Sequence, residues 1–264
     1  MRWMDYAYVI AQESARAADA LASAPTGSRV PSCPDWDAAD LAYHVGEVQD
    51  FWASLVAQAP TGPDELEETV RRPDVELVPF LRTRTTALLE ALADRDPHDA
   101  CWSWSTSGGT VGWVSRRQAH EALVHRVDAE QTAGLPVTDP GPELAADGVD
   151  ELLAVMLSGL PPWARFTPDG PRIRVRATDA GREWLVAFGR FTGTSPTTGK
   201  AYDDPCAELV GWEDDDHDVA ATVSGTAWEL ELWLWGRSAG EGLAREGDPA
   251  VPQRLRAAIV ESTQ

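Results

Sequence analysis

The residues best suited to chemistry are a carboxylate and an imidazole four positions apart, Glu121 and His125, inside RRQAHEALVHRVDAE. On an α-helix residues at this spacing differ by about 40° in direction, so the two side chains converge and can give two ligands to one cation. Asp128, three residues beyond His125, lies on the same side and can orient the imidazole from behind. His120 points about 100° away from Glu121 and is not expected to share that cation. A third ligand has to come from another element, and His44 in DLAYHVGEV, one turn after Asp40, sits on the inner face of an earlier helix. An antiparallel bundle brings mid-helix residues of two helices together. His44, Glu121 and His125 would then form a His2Glu set with open coordination positions, the arrangement of a catalytic rather than a structural metal. Blander assignments compete: a Glu and a His four apart also form surface ion pairs, and an inward histidine is commonly a hydrogen-bonded core residue. Spacing alone leaves both open.

The elements that must position these residues read as helices through the first half. Residues 3–23 place Tyr6, Ile10, Ala17 and Leu21 near one face. After a Pro-rich turn, VPSCPDWD, Asp37 caps a second helix to about Ala59, with Leu41, His44, Val48, Phe51 and Leu55 inward. Residues 60–73 read as a surface loop. A third helix spans about Asp74–Ala93, Pro79 fitting only near its first turn. Residues 96–112 read as loop, and Ser115 with Gln118 match a capping box opening a fourth helix that ends near Gly134. A fifth is expected over 142–158. The helix-breaking stretch GLPPWARFTPDGP, 159–171, sets the expected boundary between a helical metal-binding domain, 1–165, and a small α+β domain, 166–264. In the latter, 172–177, 183–188 and 219–223 read as strands, 193–205 as a long loop, 227–237 as a buried helix and 250–261 as a last helix.

With 264 residues the chain can build two domains, and 43% hydrophobic with 25% charged residues is ordinary for a globular protein. No apolar run is long enough to span a membrane, and the first residues carry Asp5 and Glu13 where a secretory leader would be apolar. A cytoplasmic location is expected. The net charge of −21 repels phosphate backbones, and Lys200 is the only lysine, so nucleic acid is not an expected partner. Cys33, Cys101 and Cys206 are an odd number without CxxC pairs, which argues against disulfides or a cysteine-rich zinc site. Cys33, ahead of a helix start, reads either as a partly activated thiol or as a buried inert one.

VPSCPDWDAADLAYHVGEVQDFW (30–52) followed by WVSRRQAHEALVHRVDAE (113–130) resembles the mycothiol-dependent maleylpyruvate isomerase family, and DVAATVSGTAWELELWLWGR (218–237) is similar, more loosely, to its second domain. The resemblance covers nearly the whole chain. It implies an α+β, two-domain fold: an N-terminal DinB-like up-down four-helix bundle and a small α/β domain like sterol carrier proteins. It implies zinc, or another divalent metal, on His44, Glu121 and His125, with mycothiol as cosubstrate. It further implies an arginine of the second domain at the active site; Arg237 in LWGR is the candidate, the competing assignment being a helix-terminal surface arginine. Arg116, Arg117 and Arg126 read as structural, pairing with carboxylates such as Asp128 or Glu130.

The implied chemistry is addition of a thiolate to an activated carbon–carbon double bond, rotation in the resulting enolate, and expulsion of the thiolate to leave the trans isomer. Thiol transfer to an electrophile would use the same parts. Two alternatives stand beside this reading. One is a non-catalytic metal or small-molecule binding protein of the same fold, in which Trp36, Trp52, Trp102, Trp104 and Trp113 line an apolar cleft. The other is a metal-assisted hydrolase that needs no thiol.

Overall fold

A computed structural model describes residues 4–25, 27–212 and 219–263. His217 lies outside them. The chain divides into two compact units, Met1–Thr138 and Asp139–Gln264. Among the described residues no helix is long and apolar enough to cross a membrane.

The first unit holds four long helices: α1 (Tyr6–Ser23), α2 (Ala38–Ala57), α3 (Leu77–Ala93) and α4 (Val111–Thr132). A short antiparallel ladder, β1 (Arg29–Val30) and β2 (Cys33–Asp37), occupies the Pro-rich stretch expected to be only a turn. Asp37 accepts from the amides of Ala39 and Asp40 while Asp40 accepts from the amide of Asp37, so the start of α2 is fixed reciprocally. Gly46 lets α3 approach: a Cβ there would meet the Phe80 ring at 2.5 Å. Pro79 falls in the first turn of α3, where its missing amide costs nothing; the preceding Asp74–Glu76 is a separate 3-10 turn.

Helix α4 begins earlier than its capping pattern suggests. Thr110, after the break at Gly108 and Gly109, accepts from the Trp113 amide at 3.1 Å, so Thr110 rather than Ser115 is the cap. The helix stops before Gly134, whose φ of +69° suits the left-handed turn that ends it. Helix α4 is buried on most sides although it carries Arg117, His120, His125, Arg126, Asp128 and Glu130. Helices α1, α2 and α3 meet over Ala17, Leu21, Leu41, Val45, Leu77 and Leu81, which form an apolar core.

The second unit opens with α5 (Pro142–Glu151), which runs on into a π-helical turn, Leu152–Leu157. It carries a five-stranded sheet in the order β5-β4-β3-β6-β7, built from β3 (Ala164–Ala177), β4 (Arg182–Thr194), β5 (Ala201–Val210), β6 (Val219–Gly225) and β7 (Ala244–Gly247). Helices α6 (Ala227–Leu234) and α7 (Ala250–Ser262) complete it.

Three sequence expectations change here. The compact units divide at 138/139 rather than 165/166, because α5 packs against α6 of the second unit. The breaker-rich stretch before residue 172 does not end the order: β3 starts at Ala164 and absorbs Pro168 and Gly170 at an irregularity in its register with β4. Of the stretch read as a long loop, residues 201–205 belong to β5, where Pro205 is tolerated because β5 is an edge strand.

A candidate metal centre

Helices α2 and α4 bring one donor and two donors, respectively, to a common point. Glu121 Oε1 lies 3.1 Å from His125 Nε2 and 3.6 Å from His44 Nε2. One ligand atom from each of the three residues lies within 4.8 Å of the others. A tetrahedral ion with bonds of about 2.0–2.1 Å to nitrogen and oxygen spaces its ligands by about 3.3 Å. The two separations from Glu121 bracket that edge, so the donor types and their spacing suit a small divalent ion. The two imidazoles stand nearly perpendicular, at 78° with centroids 4.9 Å apart, so the rings do not stack.

Each donor is held from behind. His125 Nδ1 lies 2.9 Å from Asp128 Oδ2, so a neutral ring donating to that carboxylate leaves Nε2 as its lone-pair donor. Asp128 is fully buried and in turn accepts from Ser32 Oγ at 2.5 Å. Arg117 Nη2 donates to Glu121 Oε2 at 2.5 Å, leaving Oε1 to face the imidazoles. The Trp36 ring packs 4.7 Å from that of His44. Side-chain exposures of 29% for His44, 20% for Glu121 and 11% for His125 show that the site is reached from solvent on the His44 side.

The electrostatics follow from these contacts. Burial alone would raise the Glu121 carboxyl, but His125 and Arg117 outweigh it and hold Glu121 well below the usual carboxylate range. Burial alone would lower His125, but Glu121 and Asp128 outweigh it and raise the imidazole to about 9. The pair is therefore an ion pair in the absence of a bound cation, and a cation would replace the proton between them.

Other residues singled out from sequence are placed elsewhere. His120 is buried against Tyr6, ring centroids 6.3 Å apart, and takes no part. Arg126 binds Glu13 and Glu130 inside the bundle. Trp52, Trp102, Trp104 and Trp113 form a chain of ring contacts, with Trp104 half exposed at its end, whereas Trp36 joins the candidate centre instead. Cys33 opens β2 rather than a helix, with Sγ 4.0 Å from Ser32 Oγ. Arg237 belongs to the second unit, where its Nη1 donates to the Trp235 carbonyl at 2.7 Å, just past the end of α6. Arg117 pairs with a carboxylate, as expected, and the partner is Glu121. It sits four before Glu121, the same spacing that singled out His125, and that signal was available. Ser32 carried no such signal, being 96 residues from its partner.

Comparison with known proteins gives a consistent result. Residues 9–130 match the family model described as the mycothiol maleylpyruvate isomerase N-terminal domain, and residues 143–254 match the corresponding C-terminal domain model. Two solved structures are similar over 92% of this chain and 92% of theirs. One is a mycothiol-dependent maleylpyruvate isomerase at 11% identity and TM-score 0.59; the other is a histidine-to-alanine mutant described by the same name, at 12% and 0.58. At such identities the likeness shows the fold. No curated protein matches the chain in sequence.

Proposed function

The chain belongs to the mycothiol-dependent maleylpyruvate isomerase family, and on that premise we propose that it is a zinc-dependent enzyme using a low-molecular-weight thiol, mycothiol, as cosubstrate. The reaction is cis–trans isomerisation of an unsaturated acid or transfer of the thiol to an electrophile. The observation that carries this reading is the convergence of three donors from two helices on one solvent-reached point.

His44, Glu121 and His125 would hold the ion, and imidazole with carboxylate suits zinc as well as iron or nickel. When bound, a divalent ion makes a thiol at the open position far more acidic. The protein's own groups do the rest. Asp128 fixes the ring of His125, Ser32 fixes Asp128, and Trp36 packs against the ring of His44. We assign binding of the substrate carboxylate to Arg237, whose planar fork suits that task; the support is the family resemblance of the LWGR segment. Cytoplasmic action fits a cosubstrate that has to stay reduced.

The test is metal analysis of the purified chain followed by assays pairing a small thiol with unsaturated acids and with alkylating electrophiles. About one ion per chain, and turnover that needs both thiol and metal, is the expected result. Metal without turnover of any pair would favour a binding protein of the same fold, and turnover without thiol would favour hydrolysis.

A further inference from the structure

We propose that Arg117 is the positioning residue of this centre: it occupies one oxygen of Glu121 so that the carboxylate offers a cation a single donor, and it supplies the positive charge that an anionic sulfur ligand needs. The inference rests on the reading of His44, Glu121 and His125 as a metal centre.

The contact is unlike an ordinary helix-surface pair. Arg72 and Glu76 share its spacing, but they are more than half exposed and 3.8 Å apart. Arg117 is 5% exposed at its side chain and meets Glu121 at 2.5 Å. Burying a guanidinium costs several kcal/mol unless a well-placed partner offsets it, so the geometry of the pair is tightly determined. It divides the carboxylate: Oε2 accepts from Arg117, while Oε1 faces His125 at 3.1 Å and His44 at 3.6 Å. A carboxylate free to turn can bind a cation through both oxygens and fill an extra position. With Oε2 held, the three residues fill three positions and leave the remainder for incoming ligands.

The charge balance points the same way. Glu121 and Asp128 together would cancel the charge of a divalent ion, leaving it little attraction for an anion. Arg117 adds one positive charge next to Glu121, so a thiolate arriving at the ion is neutralised rather than left as excess negative charge.

The experiment uses the full-length chain loaded with cobalt(II), whose visible absorption is strong in four-coordinate sites and weak at higher coordination. It compares the native protein with Arg117→Met and Arg117→Lys, each checked for folding by circular dichroism. Binding of 2-mercaptoethanol is followed by the sulfur-to-cobalt charge-transfer band. The native protein is expected to give the strong spectrum. Arg117→Met is expected to give a weaker one and to bind the thiol at least about ten-fold less tightly, with Arg117→Lys recovering part of the thiol affinity through its charge. A folded Arg117→Met that takes up cobalt and keeps both the native spectrum and the native thiol affinity overturns the proposal. If Arg117→Met does not fold, Arg117→Gln takes its place, with the same losses expected and the same unchanged spectrum and thiol affinity overturning the proposal; a weak, high-coordination native spectrum overturns it outright. A native chain that takes up no cobalt sinks the parent reading and this inference with it, an outcome separate from any effect of the variants.

Discussion

Helix α4 carries two buried ion clusters built on the same spacing, and they have opposite characters. Toward its C-terminal end Arg126, fully buried, donates through Nε to Glu13 at 2.7 Å and through Nη1 to Glu130 at 2.8 Å and the Thr138 carbonyl at 2.7 Å. Glu130 also accepts from the amide and hydroxyl of Thr138, at 2.8 and 2.7 Å. There each charged group faces one of opposite sign, Arg126 and Arg16 against Glu13 and Glu130, so the cluster is closed in charge. One turn earlier, Glu121 and His125 meet a second imidazole, His44, and three donors point at one another with solvent beside them. The first cluster joins α1 to α4 and the segment after it; the second gathers two imidazoles and a carboxylate around one point. Equal spacing in sequence thus yields a structural lock in one place and a candidate ligand site in the other, and the difference lies in what the neighbouring helix contributes.

The contrast can be broken by stability measurements. Arg126→Ala leaves two carboxylates buried without their shared cation and is expected to cost about 3–5 kcal/mol in denaturant unfolding. A loss below 1 kcal/mol would show that the closed cluster is not a lock. His125→Ala should behave in the opposite way. Metal content is expected to fall from about one ion per chain to none, while the metal-free variant unfolds within about 2 kcal/mol of the metal-free native protein, since Glu121 keeps Arg117 and access to water and Asp128 keeps Ser32 as donor. Full metal content in that variant would remove His125 from the set.

Asp128→Asn sharpens the comparison, because Asp128 belongs to the open cluster yet is itself buried. Metal affinity by competition with a chromophoric chelator is expected to fall about 10–100-fold. The smallest effect should come from Thr110→Ala, which removes the cap on which both clusters depend equally. It is expected to cost about 1 kcal/mol of stability without changing metal stoichiometry.

Much of this arrangement could be read from residue order. Glu121 and His125 face the same way for a reason that needs only helix geometry, and Asp37 announces the start of α2 through its capping chemistry. What escaped was set by partners distant in sequence. Glu13 meets Arg126 across 113 positions and Ser32 meets Asp128 across 96, and no local pattern encodes either contact. Helix α4 is buried on most sides although its interior residues are charged, and they are tolerated there because they pair within α4 and with groups arriving from α1, α2 and the β1–β2 ladder. In the second unit Pro168, Gly170 and Pro205 looked like interruptions; a register irregularity and an edge position make them compatible with strands.

The link from Ser32 to Asp128 has a wider consequence. Because the hydroxyl sits at the ladder immediately ahead of α2 and His44 lies early in that same helix, the three ligands and the residues holding them, Ser32, Trp36, Arg117 and Asp128, lie in two unbroken stretches, 32–44 and 117–128. A centre assembled from two short cassettes is portable: grafting them onto another helix pair of like crossing would carry ligands and braces together, while the remainder of the bundle is free to diverge.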